Sequence, residues 1–272
     1  MTRTTNHHPF YNLQFIALLL LALSVTALAD VATGVRNSTG PLHLNAAQLQ
    51  QVQASLRHKS GFAELGFDEQ GTLTLGHRAH IQGGSTIARA LLMAAVDGMN
   101  RYELESHEHS PDVAFARLSE GAVWILDDAG KRMTVYQIQL DFADFNWLSG
   151  SREAKEAYDI GINVLHELTH GVLQLQDPNG AMDKIGDCDA HVNQMRRELR
   201  LPERLYYHPD IKVVTLTNQV HVVRALLQFV ARNDGTARPP ATYQLSWLAS
   251  KVAPNAKNIA ALEKGQATAK LR

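Results

Sequence analysis

Residues 158–172 read YDIGINVLHELTHGV, and the periodicity of this stretch decides what the chain can be. Ile160, Val164, Leu168 and Val172 recur every fourth residue, and Leu165 widens their face. That pattern is an amphipathic helix, within a helical region running from about Arg152 to Leu175. Inside it His166, Glu167 and His170 spell H-E-x-x-H. Four residues advance a helix by one turn and about 40°, so the two imidazoles leave the same face and can grip one ion from neighbouring tetrahedral corners. Glu167 lies about 100° round the helix, beside the ion but poorly placed to bind it. From there a carboxylate can take a proton from a water that zinc has made acidic. His166 and His170 are the expected metal ligands, Glu167 the expected general base, and one Zn2+ per chain the expected cofactor.

Working outward, a turn-rich stretch, QDPNGAMDKIGD, ends this helix, and a second helix is expected from Asp189 to Leu201, stopped by Pro202. A third is expected from Asn218 to Arg232. Upstream, residues 46–57 read as a helix and residues 61–79 as a hairpin-like pair of strands. Residues 86–97 read as another helix, with Ser85 as N-cap and Gly98 as stop. Strand candidates are RYELESHEH at 101–109, VAFARL at 113–118, AVWIL at 122–126 and MTVYQIQLDF at 133–142. Strands mostly precede helices, which predicts an α+β fold and not a regular βαβ alternation.

At 272 residues the chain suits one sizeable core, or at most two small ones. Lys and Arg total 26 against 27 Asp and Glu, a formal charge of −1 that supplies no field for gathering nucleic acid or anionic membrane. Residues 15–29, FIALLLLALSVTALA, are an apolar run ending in a small-x-small site before Asp30. This reads as a signal peptide cleaved after Ala29, and so as export to the periplasm or the medium without stable membrane insertion. The rival is an uncleaved N-terminal anchor. A single cysteine, Cys188, excludes an intramolecular disulfide framework. The expected organisation is a signal peptide at 1–29, a flexible lead-in at 30–45, a catalytic domain at 46–235 and a loosely held, Ala- and Lys-rich tail at 236–272.

The helix with H-E-x-x-H resembles the active-site helix of the zincin metallopeptidases. The resemblance implies a mixed sheet packed on that helix, with a long edge strand before it, for which MTVYQIQLDF is the candidate. It also implies a peptide or protein substrate. A third ligand must leave a fourth position open for catalysis. The metzincin continuation fails, because Leu173 and Gln176 stand where Gly and His belong. The gluzincin pattern, an acidic ligand on a later helix, is approached by Asp189-x-x-x-Asn193. By that resemblance Asp189 is the expected third ligand and Asn193 the residue hydrogen-bonding a ligand histidine. Asp187, Cys188 and His191 compete with Asp189. A donor for the developing oxyanion is expected among His191, Tyr206, Tyr207 and His208, with His191 taken first. His107 and His109 form a further candidate pair on one side of a strand, and His77 and His80 read as surface residues. The alternative function is a zincin-like zinc-binding or interaction protein without catalysis.

Overall fold

The computed structural model describes residues 33–125, 130–178, 185–215, 221–231 and 239–254. The expected signal peptide lies outside the described residues. The chain is α+β, with three sheets and six helices among the described residues. The first sheet has the order β1-β4-β6-β5 and consists of β1 (Gly34–Asn37), β4 (Arg101–Ser106), β5 (Ala116–Ile125) and β6 (Arg132–Leu140). β1, β4 and β6 run parallel, and β5 closes the edge antiparallel to β6. Against this sheet pack α1 (Ala46–Ser60), α2 (Thr86–Asp97) and α5 (Ile160–Leu173), burying Leu56, Leu92, Leu104, Ile138, Val164 and Leu168 in one core. β2 (Gly66–Phe67) and β3 (Leu73–Thr74) form the expected hairpin beside it.

A second sheet, entirely antiparallel, is built from β7 (Ser149–Gly150), β8 (Glu203–Arg204), β9 (Asp210–Thr215), β10 (His221–Val230) and β11 (Thr242–Leu248). Leu227, Phe229, Leu245, Trp247 and Val252 form its own core with Phe115, Ala157 and Tyr158. The short helices α3 (Phe142–Asn146) and α4 (Arg152–Glu156), and α6 (Asp187–Glu198), complete the fold.

Several expectations are corrected here. The helix expected at 218–232 is strand β10 over 221–230; an apolar run such as HVVRALLQFV suits either state, and pairing with β9 and β11 selected the strand. MTVYQIQLDF is an interior strand, because β6 is paired on both sides; the edge strand beside it is β5, with β1 at the far end. β5 itself merges the separate 113–118 and 122–126 candidates through a register shift between Glu120 and Val123. The lead-in contains β1, whose Val35 is fully buried. The tail is not loose throughout, since residues 242–253 carry β11 and the buried Trp247, Ala249 and Val252. Among the described residues no helix is long and apolar enough to cross a membrane.

Helix α5 is seated closely on two sides. A Cβ on Gly161 would meet Ser55 Oγ at 2.2 Å, and one on Gly171 would meet the Tyr102 ring at 2.5 Å. Its N-cap, Asp159, accepts from Ile162 N and pairs with the buried Lys59 at 2.9 Å. This helix, and not the 152–175 region as a whole, is continuous: α4 ends at Glu156 and Asp159 starts α5 anew.

Asp144, on α3, is 2 % exposed and accepts from Phe115 N at 3.0 Å. Burial lifts its carboxyl to about 7. The folded chain then holds a proton that the unfolded chain has already released, so stability falls as pH rises from about 4 to about 7. Asp144→Asn keeps an acceptor for Phe115 and should flatten that part of the curve, gaining up to a few kcal/mol at pH 8. Denaturant unfolding of both proteins at pH 5 and pH 8 tests this; an equal fall in both would refute it.

Candidate metal centre

The two histidines meet as the helical spacing requires. His166 Nε2 and His170 Nε2 are 3.1 Å apart, and both rings are largely buried. What faces them is Asp177: its Oδ1 lies 3.4 Å from His166 Nε2 and its Oδ2 3.3 Å from His170 Nε2. The helix terminus explains this placement. Gln174 caps α5 in the left-handed conformation (φ 57°), which turns the chain back across the end of its own helix. Leu175 O then receives His170 Nδ1–H at 2.6 Å, and two residues later Asp177 reaches the other edge of the ring. Cys188 N bonds Gln176 O at 3.3 Å, and a Cβ on Gly186 would strike Pro178 Cδ at 2.6 Å. The returning segment is therefore pinned between α5 and α6.

His170 gives its Nδ1 proton to a carbonyl, so in the neutral ring Nε2 carries a lone pair directed at the cluster. Asp177 Oδ1 is buried and has no hydrogen-bond partner among the described residues. Lone pairs and a carboxylate converging at 3.1–3.4 Å repel one another unless a cation or a proton lies between them. The ionisation behaviour says the same. Burial opposes charge on both partners, yet His166 and His170 hold Asp177 well below the usual carboxylate range, and Asp177 lifts His170 to about 9. The donor set fits a metal: ligand atoms at 2.0–2.1 Å from a tetrahedral zinc are about 3.3 Å from each other. His166, His170, Asp177 and Cys188 form a group that could hold a metal ion.

Asp189, the expected third ligand, is used otherwise. It is fully buried, with Oδ2 bonded to Arg204 Nη1 at 2.9 Å and Oδ1 to Arg196 Nη1 at 3.3 Å. Burial works against its charge, and Arg204, His166 and Arg196 outweigh burial to hold it ionised. Its Oδ1 stands 3.8 Å from His166 Nδ1, behind the ring and away from the converging Nε2 atoms. Asn193 does not touch a ligand histidine; its Nδ2 donates to Arg204 O and its Oδ1 accepts from Arg204 N and Arg196 Nη1. Cys188 Sγ lies 3.5 Å from His166 Nδ1, and burial pushes its thiol up. Asp187 is exposed in the first turn of α6.

Glu167 is 6 % exposed and its Oε2 accepts from Leu118 N of β5 at 2.7 Å. Burial raises its pKa, a trend that the neighbouring histidines oppose. It stands between two cavities, an apolar one of about 180 Å³ and a polar one of about 360 Å³. Tyr207 borders both, stacks on His166 with centroids 6.4 Å apart, and donates to Asp177 Oδ2 at 2.6 Å. His208 borders the apolar one. His191 borders neither, and its Nε2 is buried without a partner. It follows Asp189 by two residues, about 200° round α6, so the helix that turns Asp189 toward His166 turns His191 elsewhere.

Comparison of the chain with protein-family models, curated proteins and solved structures finds no match.

Sequence reasoning missed Asp177, which sits in the turn-rich stretch just before Pro178. The available signal was an acidic residue shortly after the helix end, and only the left-handed cap at Gln174 shows where it goes. His107 bonds Glu105 at 3.1 Å, while His109 lies beyond β4 with φ 60°, so the two do not share a strand face. His77 and His80 are exposed, as expected, and His80 bonds Glu64 at 2.7 Å.

Proposed function

We propose that this chain is an exported zinc-dependent hydrolase of peptide bonds, of zincin type, with His166, His170 and Asp177 as the metal ligands. The observation that carries the proposal is the triangle of 3.1, 3.3 and 3.4 Å between their donor atoms, beside a buried glutamate. Zinc there would supply Lewis acidity, making water a stronger acid and polarising a carbonyl. The chain does the rest. Leu118 N–H fixes one oxygen of Glu167 and leaves Oε1 to receive a proton. Burial makes that carboxylate more basic than an exposed one, which suits a general base near neutral pH. Tyr207 O–H, within reach of Asp177, is the donor best placed to turn toward a developing oxyanion, in place of His191. Among the described residues no strand lies beyond β5, so its outer backbone groups can align an extended peptide past Glu167. Residues 15–29 support export.

Purified protein should retain about one zinc per chain through dialysis. Glu167→Gln should keep that zinc and lose hydrolysis of a peptide library by about a thousandfold or more. A zinc-loaded wild type that cuts no peptide would favour the alternative, a metal-binding protein without turnover. Absence of any bound transition metal would defeat both.

A further inference from the structure

The apolar cavity beside His166 and Glu167 is walled by Phe115, Tyr158, Leu227, Trp247 and Val252, and Arg196 and Arg204 also line it. Leu227 and Trp247 come from the second sheet, and Val252 from the segment after it. An arginine at the wall of so apolar a space needs an account, since a buried guanidinium cannot shed its charge.

Arg196 is 1 % exposed. Its Nε donates to Ala157 O at 2.9 Å, and its Nη1 to Asn193 Oδ1 at 2.9 Å and Asp189 Oδ1 at 3.3 Å. Its Nη2 makes no hydrogen bond among the described residues. Arg204, by contrast, uses all three nitrogens: Nε to Tyr206 O, Nη2 to Tyr207 O and Nη1 to Asp189 Oδ2. One carboxylate thus serves two buried guanidiniums, while Glu167 is the carboxylate that lines the cavity with them. The unused N–H donors fall on Arg196, at the wall of the cavity. Glu167, which lines the cavity as Asp189 does not, is tied by one oxygen to Leu118 N–H. Buried N–H donors without an acceptor are costly, and the carboxylate of an entering ligand would satisfy them with charge-assisted hydrogen bonds.

The geometry points to this cavity as a binding site for an apolar chain ending in a carboxylate, with Arg196 as its recognition residue. Resting on the peptidase reading, it makes this cavity the subsite of the substrate residue flanking the scissile bond. That carboxylate is either the side chain of a glutamate or aspartate, or a peptide's free C-terminus.

The binding arm uses the full chain as purified, titrated calorimetrically with 3-phenylpropanoate and with the neutral 3-phenylpropanamide. The acid should bind at least about tenfold more tightly; equal binding overturns the inference. A carboxylate on the metal itself would also favour the acid, so Arg196→Met separates the two. Loss of the acid preference in that variant supports Arg196, and its retention overturns it. If Arg196→Met does not fold, Val252→Phe, which narrows the cavity and leaves the ion pairs intact, should abolish acid binding; unchanged binding overturns the site. The cleavage arm compares one peptide carrying Glu or Gln beside the scissile bond, and ending in a free acid or an amide. A preference for Glu identifies a side chain, and one for the free acid a C-terminus. Cleavage without either preference overturns the inference. Acid binding with no peptide cleaved leaves the cavity assigned and defeats the peptidase reading alone.

Discussion

Asp177→Ala should strip the protein of its metal, lowering zinc affinity by more than about a hundredfold. Loss of groups that merely orient metal ligands costs 10–100-fold, and loss of a ligand should exceed that range. Competition against a chromophoric chelator measures it directly. The expectation follows from position: Asp177 is the carboxylate facing the Nε2 atoms of both His166 and His170, and its Oδ1 is buried without a partner among the described residues. Cys188→Ala should change affinity only slightly, because the thiol sits at the Nδ1 edge of His166. If the two variants behave the other way round, with Cys188→Ala losing the metal and Asp177→Ala keeping it, the assigned ligand set is wrong.

Asp189→Ala should destabilise the fold by about 3–5 kcal/mol, the range for breaking a buried ion pair by removing one partner. Its carboxylate is fully buried and is the counter-charge to both Arg196 and Arg204. Without it, two buried guanidiniums would face each other with only backbone carbonyls and Asn193 for company. A fall in melting temperature of roughly 10 °C is expected for a chain of this size. The consequences also reach the metal centre, because Arg204 holds the backbone of Tyr206 and Tyr207 while Tyr207 bonds Asp177. The contrast between variants is decisive. Asp177→Ala should lose metal and keep much of its stability, whereas Asp189→Ala should lose stability first. A stable Asp189→Ala protein without metal would return Asp189 to the ligand set.

The gap between the expected and observed third ligand shows where local patterns stop being informative. His166 and His170 were legible because one helical turn separates them, and that geometry is independent of the rest of the fold. Asp189 was attractive because a helix was expected there, and the helix is present. Yet facing a histidine from a second helix does not say which edge of the ring is met. The edge Asp189 meets carries Nδ1, and its oxygens are occupied by Arg196, two turns along the same helix, and by Arg204 of β8. His191 failed for a related reason: nearness in sequence to Asp189 puts it on another face of the same helix.

The strands tell a similar story. β4, β6 and the β2–β3 hairpin lie where alternation placed them. β10 was read as a helix because a ten-residue apolar run carries both periods, and its state was set by partners distant in sequence. β11 was lost in a segment whose composition is dominated by its Ala- and Lys-rich end, although Leu245 and Trp247 alternate inward.

By itself the sequence determined an α+β chain with one amphipathic helix presenting two imidazoles and a carboxylate at fixed angles, since backbone periodicity sets those relations within a single element. Tertiary structure alone decided that Asp177 and not Asp189 meets the imidazoles, that β5 and not β6 is an edge, and that a second sheet helps wall a cavity containing Arg196. Those facts depend on how a left-handed cap redirects the chain and on which buried charges find one another, and both are relations between segments that local patterns do not encode.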